Sequence, residues 1–322
     1  MKAVVLNYAG DAENFSIEER ALPVPGSGQV LIKVKAFGLN RSELMTRKGF
    51  SPNVIFPRIL GIECVGEVEN DPSGNFTKGQ KVAAFMGGMG RDFDGSYAEY
   101  TVLPIQLLTS FESTLTWDVL GALPEMFQTA YGSLHRALKI QAGEVLLIRG
   151  GTSSVGLLAA QLAKEAGLTV IATTRNENKR GLLLNNGADE VLIDDGNIAE
   201  VIKDNFHLKI DKVLELVGTS TLKDSLHCAA QGGVVCMTGM LAEEWSIANF
   251  APMDFIPATV NLTVYNSGQI RIEGNFFQEF VKDIEKCIIR PAIKRTFNLD
   301  EIVAAHRFME TNSGGGKIVV LT

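Results

Sequence analysis

The first third of the chain alternates apolar and polar residues over short spans. Ala3 to Leu6 is an apolar run, and Val30 to Val34 alternates. There Val30, Ile32 and Val34 share one face, with Leu31, Lys33 and Lys35 on the other. Cys64 to Val68, Lys81 to Phe85 and Tyr97 to Val102 read the same way, and Pro23, Pro25, Gly26 and Gly28 punctuate the turn between the first two strands. Short strands with little helix predict a small β-rich, barrel-like domain.

Near Thr116 the pattern changes. Val145 to Ile148 is continuously apolar, as a strand buried on both faces requires. A Leu- and Ala-rich helix is expected from Ser154 to Ala166. Strands follow at Thr169–Thr173, Glu190–Ile193, Lys212–Val217, Gly233–Thr238 and Asn261–Tyr265, with helices at Glu177–Asn185, Ile198–Asn205 and Thr221–Ala230 between them. Strands alternating with helices predict right-handed crossovers and a doubly wound parallel sheet, so the fold class is α/β. Farther on, Phe276, Phe277, Phe280, Val281, Ile284, Cys287 and Ile288 recur at helical spacing, which predicts an amphipathic helix over Asn275–Ile289. A helix over Leu299–Met309 and a strand over Lys317–Leu321 close the chain.

Composition narrows the functions. The 322 residues carry 30 Lys plus Arg against 37 Asp plus Glu, a net charge of −7. An overall affinity for nucleic acid or an anionic membrane surface is not expected, since both need basic surface. Glycine is the excess, at 32 residues, above the usual ~7%. Cys64, Cys228, Cys236 and Cys287 show no metal-ligand spacing and read as buried reduced thiols. The apolar stretch after Met1 is too short for a signal sequence and soon meets Asp11 and Glu13, and no apolar run is long enough to span a bilayer. A cytoplasmic protein is expected.

The strongest local signal is Val145-Leu146-Leu147-Ile148-Arg149-Gly150-Gly151-Thr152-Ser153-Ser154-Val155-Gly156, running from strand into helix. Gly151-x-Ser153-x-x-Gly156 is a G-x-G-x-x-G frame with Ser in the middle position. Such a turn faces backbone N–H groups and a helix N-terminus toward a pyrophosphate, and its last glycine lets helix and strand pack closely. The Ser153 hydroxyl is a candidate donor to a phosphate. A site for NAD carries an acid about 20 residues farther on, to hold the ribose 2′-OH. Here Arg175 falls nineteen positions after Gly156, and Thr173-Thr174-Arg175-Asn176-Glu177-Asn178-Lys179-Arg180 has no acid at the strand end. Arg pairs with a 2′-phosphate that an acid would repel, so NADPH is expected over NADH. Val217-Gly218 and Thr238-Gly239-Met240 end later strands on the same edge, where they are expected to line the ribose and nicotinamide.

The chain resembles the medium-chain dehydrogenase/reductase superfamily, and within it the zinc-free quinone oxidoreductase branch. The resemblance runs through Phe37-Gly38-Leu39-Asn40 with Arg47-Lys48-Gly49, Leu60-Gly61-Ile62-Glu63-Cys64-Val65-Gly66 and Gly95-Ser96-Tyr97-Ala98-Glu99-Tyr100. It continues with Ala122-Leu123-Pro124, Gln128-Thr129-Ala130-Tyr131, Gln161-Leu162-Ala163-Lys164, Gly187-Ala188-Asp189, Ala305-His306-Arg307 and Gly316-Lys317-Ile318-Val319. It implies a discontinuous GroES-like substrate domain, residues 1–123 and 266–322, around an inserted Rossmann NADPH-binding domain, residues 124–265. Zinc-bearing relatives place Cys, His and Cys where this chain has Asn40, Ile62 and Glu125, and their four-cysteine structural lobe is missing. These residues do not make a zinc site.

Without a Lewis acid, hydride transfer from NADPH to an already electrophilic acceptor is the expected chemistry, with a quinone or an α,β-unsaturated carbonyl as substrate. The resemblance places Asn40 and Thr129 beside the nicotinamide. It places Ser153, Ser154 and Val155 on the pyrophosphate, where Gly151, Thr152 and Gly156 of the glycine frame join them in the cofactor set, and Thr174, Arg175 and Lys179 on the 2′-phosphate. Val217, Gly239 and Met240 complete the expected cofactor set. Many quinone reductases of this branch carry Tyr five residues after the Asn; Met45 stands there, so the proton donor lies elsewhere. Arg47 reads as a structural cation or a substrate-side one, and Met45 with Phe50 as core or an apolar mouth. A 2-enoyl thioester reductase and a low-turnover NADPH-binding sensor are the competing readings. Relatives commonly dimerise through edge strands of the nucleotide domain, which makes Asn261–Tyr265 the expected homodimer edge.

Overall fold

The computed structural model describes residues 1–205, 209–311 and 314–322. The chain divides into two compact units, Met1–Gln128 with Ile272–Thr322, and Thr129–Arg271. The division falls inside the helix Pro124–Gly132, whereas the sequence suggested a join at its first residue.

The first unit is built on the strand Gln29–Leu39, longer than the Val30–Val34 span that alternates. It changes partner along its length. Gln29–Lys33 pairs with Tyr100–Pro104, and Ala36–Leu39 pairs with the C-terminal strand Lys317–Leu321. Its other edge carries Glu63–Asn70, then Lys81–Phe85 and Leu108–Ser110. Bulges at Leu31/Ile32 and Val34/Ala36 break the period of two, so Leu31 is buried although simple alternation sets it beside the lysines. A smaller sheet orders Phe15–Glu19, Lys2–Leu6 and Arg58–Ile59.

The helix Gly274–Glu285 buries Phe277, Phe280, Val281 and Ile284. Phe277 meets Phe85, Phe111 and Phe127 edge-on, at ring separations of 5.2, 5.5 and 5.7 Å. The helix ends before the expected Ile289. Cys287 has φ 60°, left-handed backbone that breaks the helical run, so Cys287 and Ile288 are exposed instead of continuing the buried stripe. The other three cysteines are buried. The strand Ile293–Asn298 escapes the sequence reading because four of its residues, Lys294, Arg295, Thr296 and Asn298, are exposed and polar.

The second unit holds a six-stranded sheet whose neighbours are all parallel. Its order is Glu190–Ile193, Thr169–Thr174, Val145–Arg149, Lys212–Glu215, Val234–Met237, Asn261–Val264. The chain starts at Val145–Arg149, winds to one edge, then returns to fill the other. That reversal sets a topological switch point at the carboxyl end of Val145–Arg149, where doubly wound sheets receive ligands. The strand is wholly buried, as its apolar run requires. The expected helix Glu177–Asn185 is a 3-10 turn, Glu177–Lys179, followed by the short helix Arg180–Leu184. Among the described residues no helix is long and apolar enough to cross a membrane.

Candidate active site and nucleotide-binding turn

The turn after Val145–Arg149 depends on its glycines. Gly150 has φ +80°, which L side chains rarely adopt. A Cβ on Gly156 would lie 2.7 Å from the Gly151 carbonyl oxygen, and one on Gly151 would lie 3.0 Å from the Ala172 Cβ. Both glycines therefore allow the helix Ser154–Glu165 to approach the sheet. Ser153 caps that helix: its Oγ accepts the Gly156 N–H at 3.1 Å and donates to the Gly150 carbonyl at 2.9 Å. The hydroxyl proton expected to reach a phosphate is thus held inside the turn, because the cap geometry brings the Gly150 carbonyl within reach. Ser154 and Val155 open the helix, and their N–H groups have no intrahelical acceptor. Together with half-buried Thr152 they form the anion-facing end of the turn.

Beyond the second strand, Thr174 is buried and its Oγ1 accepts the Asn176 N–H at 3.1 Å. Arg175 is exposed, with no ion pair among the described residues. Arg180 is not part of that free charge: its Nε meets Glu177 Oε1 at 2.6 Å and its Nη1 donates to the Val191 carbonyl at 2.8 Å. Of the cations Arg175, Lys179 and Arg180 after this strand, Arg180 is thus held by Glu177, one helical turn before it, whereas Arg175 is exposed and Lys179 half-buried. At the other strand ends, a Cβ on Gly239 would stand 2.4 Å from the Leu216 carbonyl oxygen, and one on Gly218 would stand 3.3 Å from the Met240 Cα. Val217–Gly218 and Gly239–Met240 therefore lie against each other on the carboxyl edge.

A buried ionic network underneath was not read from the sequence. Arg149 ends the central strand and is wholly buried. Its Nε and Nη2 each donate to Asp194 at 2.8 Å, and its Nη1 donates to Asp224 at 2.6 Å and to Ser225 at 3.2 Å. Thr173 Oγ1 donates to Asp194 at 3.2 Å and accepts the Gly150 N–H at 3.1 Å, which ties the network to the turn. Burial pushes the Asp194 carboxyl up, and the Arg149 bonds outweigh it and hold it below the usual carboxylate range. Glu215 goes the other way: burial raises it, although Ser225, Gly218 and Val217 all donate to it. The available signal was an Arg closing an otherwise apolar strand, a cation that needs a carboxylate partner.

In the first unit, Asn40 follows the strand Gln29–Leu39 and opens the short helix Arg41–Arg47. Its Oδ1 accepts from Lys317 Nζ at 2.5 Å, and its Nδ2 donates to Glu63 Oε1 at 2.9 Å and to Glu43 Oε1 at 3.4 Å. Lys317 and Glu63 are themselves 2.7 Å apart and buried. Thr129 stands in the second unit, half-buried, its carbonyl accepting the Ser133 hydroxyl at 2.6 Å.

Residues 26–113 match the alcohol dehydrogenase GroES-like domain, and residues 154–286 match the zinc-binding dehydrogenase family. The quinone oxidoreductase of Mus musculus is 29% identical, with 100% of this chain and 98% of the relative covered. The acryloyl-coenzyme A reductase of Metallosphaera sedula is 25% identical, with both chains covered in full. A mycobacterial protein solved in complex with NADPH superposes with a TM-score of 0.88 at 25% identity, again over 100% of both chains. The chain belongs to the medium-chain dehydrogenase/reductase superfamily, in its quinone oxidoreductase branch.

Within that superfamily the zinc positions can be tested on this donor set. Ile62 is a buried hydrocarbon with no ligand atom. The Asn40 oxygen is taken by an ammonium, which repels a metal cation. Among the described residues no group of three or more His, Cys, Asp or Glu is arranged to hold a metal. The residues present do not fit the zinc of the superfamily's alcohol dehydrogenases.

The other candidates of this medium-chain reductase separate cleanly. Met45 is buried in the core cluster, whereas Phe50 is 60% exposed. Arg47 is buried and pairs with Glu310, so it is a structural cation. Nearby, Tyr97 Oη and His306 Nε2 are 3.1 Å apart. Burial, with the Arg47 charge adding to it, pushes His306 down to about 3. Burial, reinforced by the Glu63 charge, pushes Glu43 up to about 7.

These two groups give stability a defined pH dependence. Glu43 binds its proton more tightly folded than unfolded, so its contribution is present below about pH 4.5 and is lost as pH rises to about 7. The loss is on the order of 3 kcal/mol. His306 acts oppositely, losing stability as pH falls from about 6.5 toward 3. A melting temperature that falls between pH 6.5 and 7.5 is expected for the native chain, with a flatter profile for Glu43→Gln. Identical pH profiles for the two proteins would refute the assignment.

Proposed function

We propose that this chain is a zinc-independent NADPH-dependent oxidoreductase that passes hydride to a quinone or an α,β-unsaturated carbonyl. One observation carries the reading. A strand-turn-helix at the switch point offers N–H groups to a pyrophosphate, and a free Arg175 stands where an NAD site carries an acid. Thr152, Ser154 and Val155 hold the pyrophosphate, in a turn whose shape Gly151, Ser153 and Gly156 set through their own internal bonds and close packing. Thr174, Arg175 and Lys179 hold the 2′-phosphate, and Val217, Gly239 and Met240 line the ribose and nicotinamide. Bound NADPH supplies the hydride. The chain's part is to position donor and acceptor, with Asn40 and Thr129 as the polar contacts at the reacting end. The NADPH complex of the mycobacterial protein supports the cofactor, and the name of the Mus musculus relative supports the acceptor class.

A second acceptor class is favoured by the acryloyl-coenzyme A reductase likeness: 2-enoyl thioesters. NADPH oxidation against quinones, alkenals and enoyl thioesters in parallel decides between them. Turnover with quinones or alkenals, unchanged by a chelator, is the expected result. Turnover confined to enoyl thioesters moves the assignment to that class. Tight NADPH binding with no turnover on any acceptor makes the chain a sensor, and loss of activity with chelator defeats zinc independence.

The proposed assembly is a homodimer through Asn261–Val264. Among the described residues this edge strand pairs on one side only, and Val264 on it is 66% exposed. A monomeric mass by light scattering at micromolar concentration would exclude it.

A further inference from the structure

We propose that Lys317 and Glu63 are positioning residues that fix the side-chain amide of Asn40 in a single orientation for the reaction. The inference rests on Asn40 taking part in that reaction. An amide can be placed either way round by its shape alone, but here the partners decide. An ammonium only donates and a carboxylate only accepts. Oδ1 therefore faces Lys317 and Nδ2 faces Glu63; the flipped amide would set donor against donor and acceptor against acceptor.

Three segments far apart in sequence build this clamp. Lys317 begins the C-terminal strand, Glu63 begins Glu63–Asn70, and both flank the central strand that delivers Asn40. Gly38 lies beneath the ion pair. A Cβ there would stand 2.2 Å from Lys317 Cε and 2.6 Å from Glu63 Oε1, so the pair closes only over glycine. The second oxygen of Glu63 accepts the Glu125 N–H at 2.8 Å, which holds the carboxylate from another element. Glu43 Oε1, fixed by the Ile62 N–H at 3.2 Å, takes the remaining side of Nδ2.

The arrangement is not one that stability alone would select. Lys317 and Glu63 are 1% and 0% exposed, and replacing a pair this buried by apolar residues of similar volume is often neutral or stabilising. It also determines what Asn40 offers. Both amide hydrogens are engaged by the clamp, and Oδ1 keeps one lone pair. Asn40 therefore serves as a hydrogen-bond acceptor, for a ligand group carrying N–H or O–H.

The test is a double-mutant cycle in the whole enzyme, with NADPH and a quinone. Lys317→Met should lower kcat by roughly tenfold to 100-fold through the misplaced amide, with the NADPH Kd changed less than about twofold because the phosphate-binding turn lies elsewhere. Lys317→Arg should restore most of kcat. In an Asn40→Ala background, Lys317→Met should have no further effect, because it acts through Asn40. Multiplying effects, or a folded Lys317→Met enzyme with native kcat, overturn the proposal. If Asn40→Ala itself turns over like the native enzyme, the catalytic reading of Asn40 has failed instead. If Lys317→Met does not fold, the Glu63→Gln/Lys317→Met pair takes its place in the cycle, since it removes both charges together.

Discussion

Replacing Arg149 by Met should destabilise the second unit by about 3–5 kcal/mol. The guanidinium is fully buried and joins Asp194 to Asp224, with Glu215 in its field. Removing it leaves buried carboxylates without their cation, and each must either take up a proton or draw water into the sheet. Urea unfolding followed by circular dichroism gives the size of the effect. Because Thr173 links Asp194 to the Gly150 N–H, the same variant should also weaken NADPH binding before it unfolds. Arg149→Lys keeps the charge but not the two-pronged contact with Asp194, so it should recover only part of the stability. A native midpoint for Arg149→Met would show that the network contributes nothing measurable.

Changing Arg175 to Asp should reverse cofactor preference. The native side chain is exposed and unpaired among the described residues, so it can meet a 2′-phosphate without first breaking another ion pair. A charge-assisted, bidentate contact of this kind is worth about 1.5–3 kcal/mol. Its loss, plus repulsion from a carboxylate, should raise the NADPH Kd by roughly 100-fold or more. NADH should gain, since Asp at this position can accept from a ribose 2′-OH. Arg180→Ala is the contrast: Arg180 is held by Glu177 and the Val191 carbonyl, so it should alter cofactor preference little. Fluorescence titration with both cofactors measures this. Equal affinity of the native chain for NADH and NADPH, or native NADPH affinity in Arg175→Asp, would remove Arg175 from the site.

Much of the fold was legible because burial on two faces leaves a plain mark. The run Val145 to Ile148 and the β/α alternation after it specify a parallel sheet, and all six of its strands stand where the apolar runs put them. The glycine turn was legible for a related reason, since glycine is required where helix and strand nearly touch. Two readings failed for separate local reasons. Cys287 and Ile288 fit the apolar period of the helix before them, yet a single left-handed residue stops that helix. Arg180 fits a cationic cluster by position, yet a Glu three residues away takes its charge.

The sequence by itself determined what each segment does alone: which runs become strands, which turn can face a phosphate, and that no acid stands at the end of the second strand. Only the tertiary structure decided the pairings of charge. Arg149 with Asp194 and Asp224, and Asn40 with Glu63 and Lys317, join residues from separate segments of the chain. Their distance in sequence carries no periodic trace. A buried ion is satisfied by whichever opposite charge the sheet brings within about 3 Å, and strand order, not local pattern, sets that neighbour. The same folding turned the Ser153 hydroxyl from a candidate phosphate donor into a helix cap and paired buried Arg47 with Glu310.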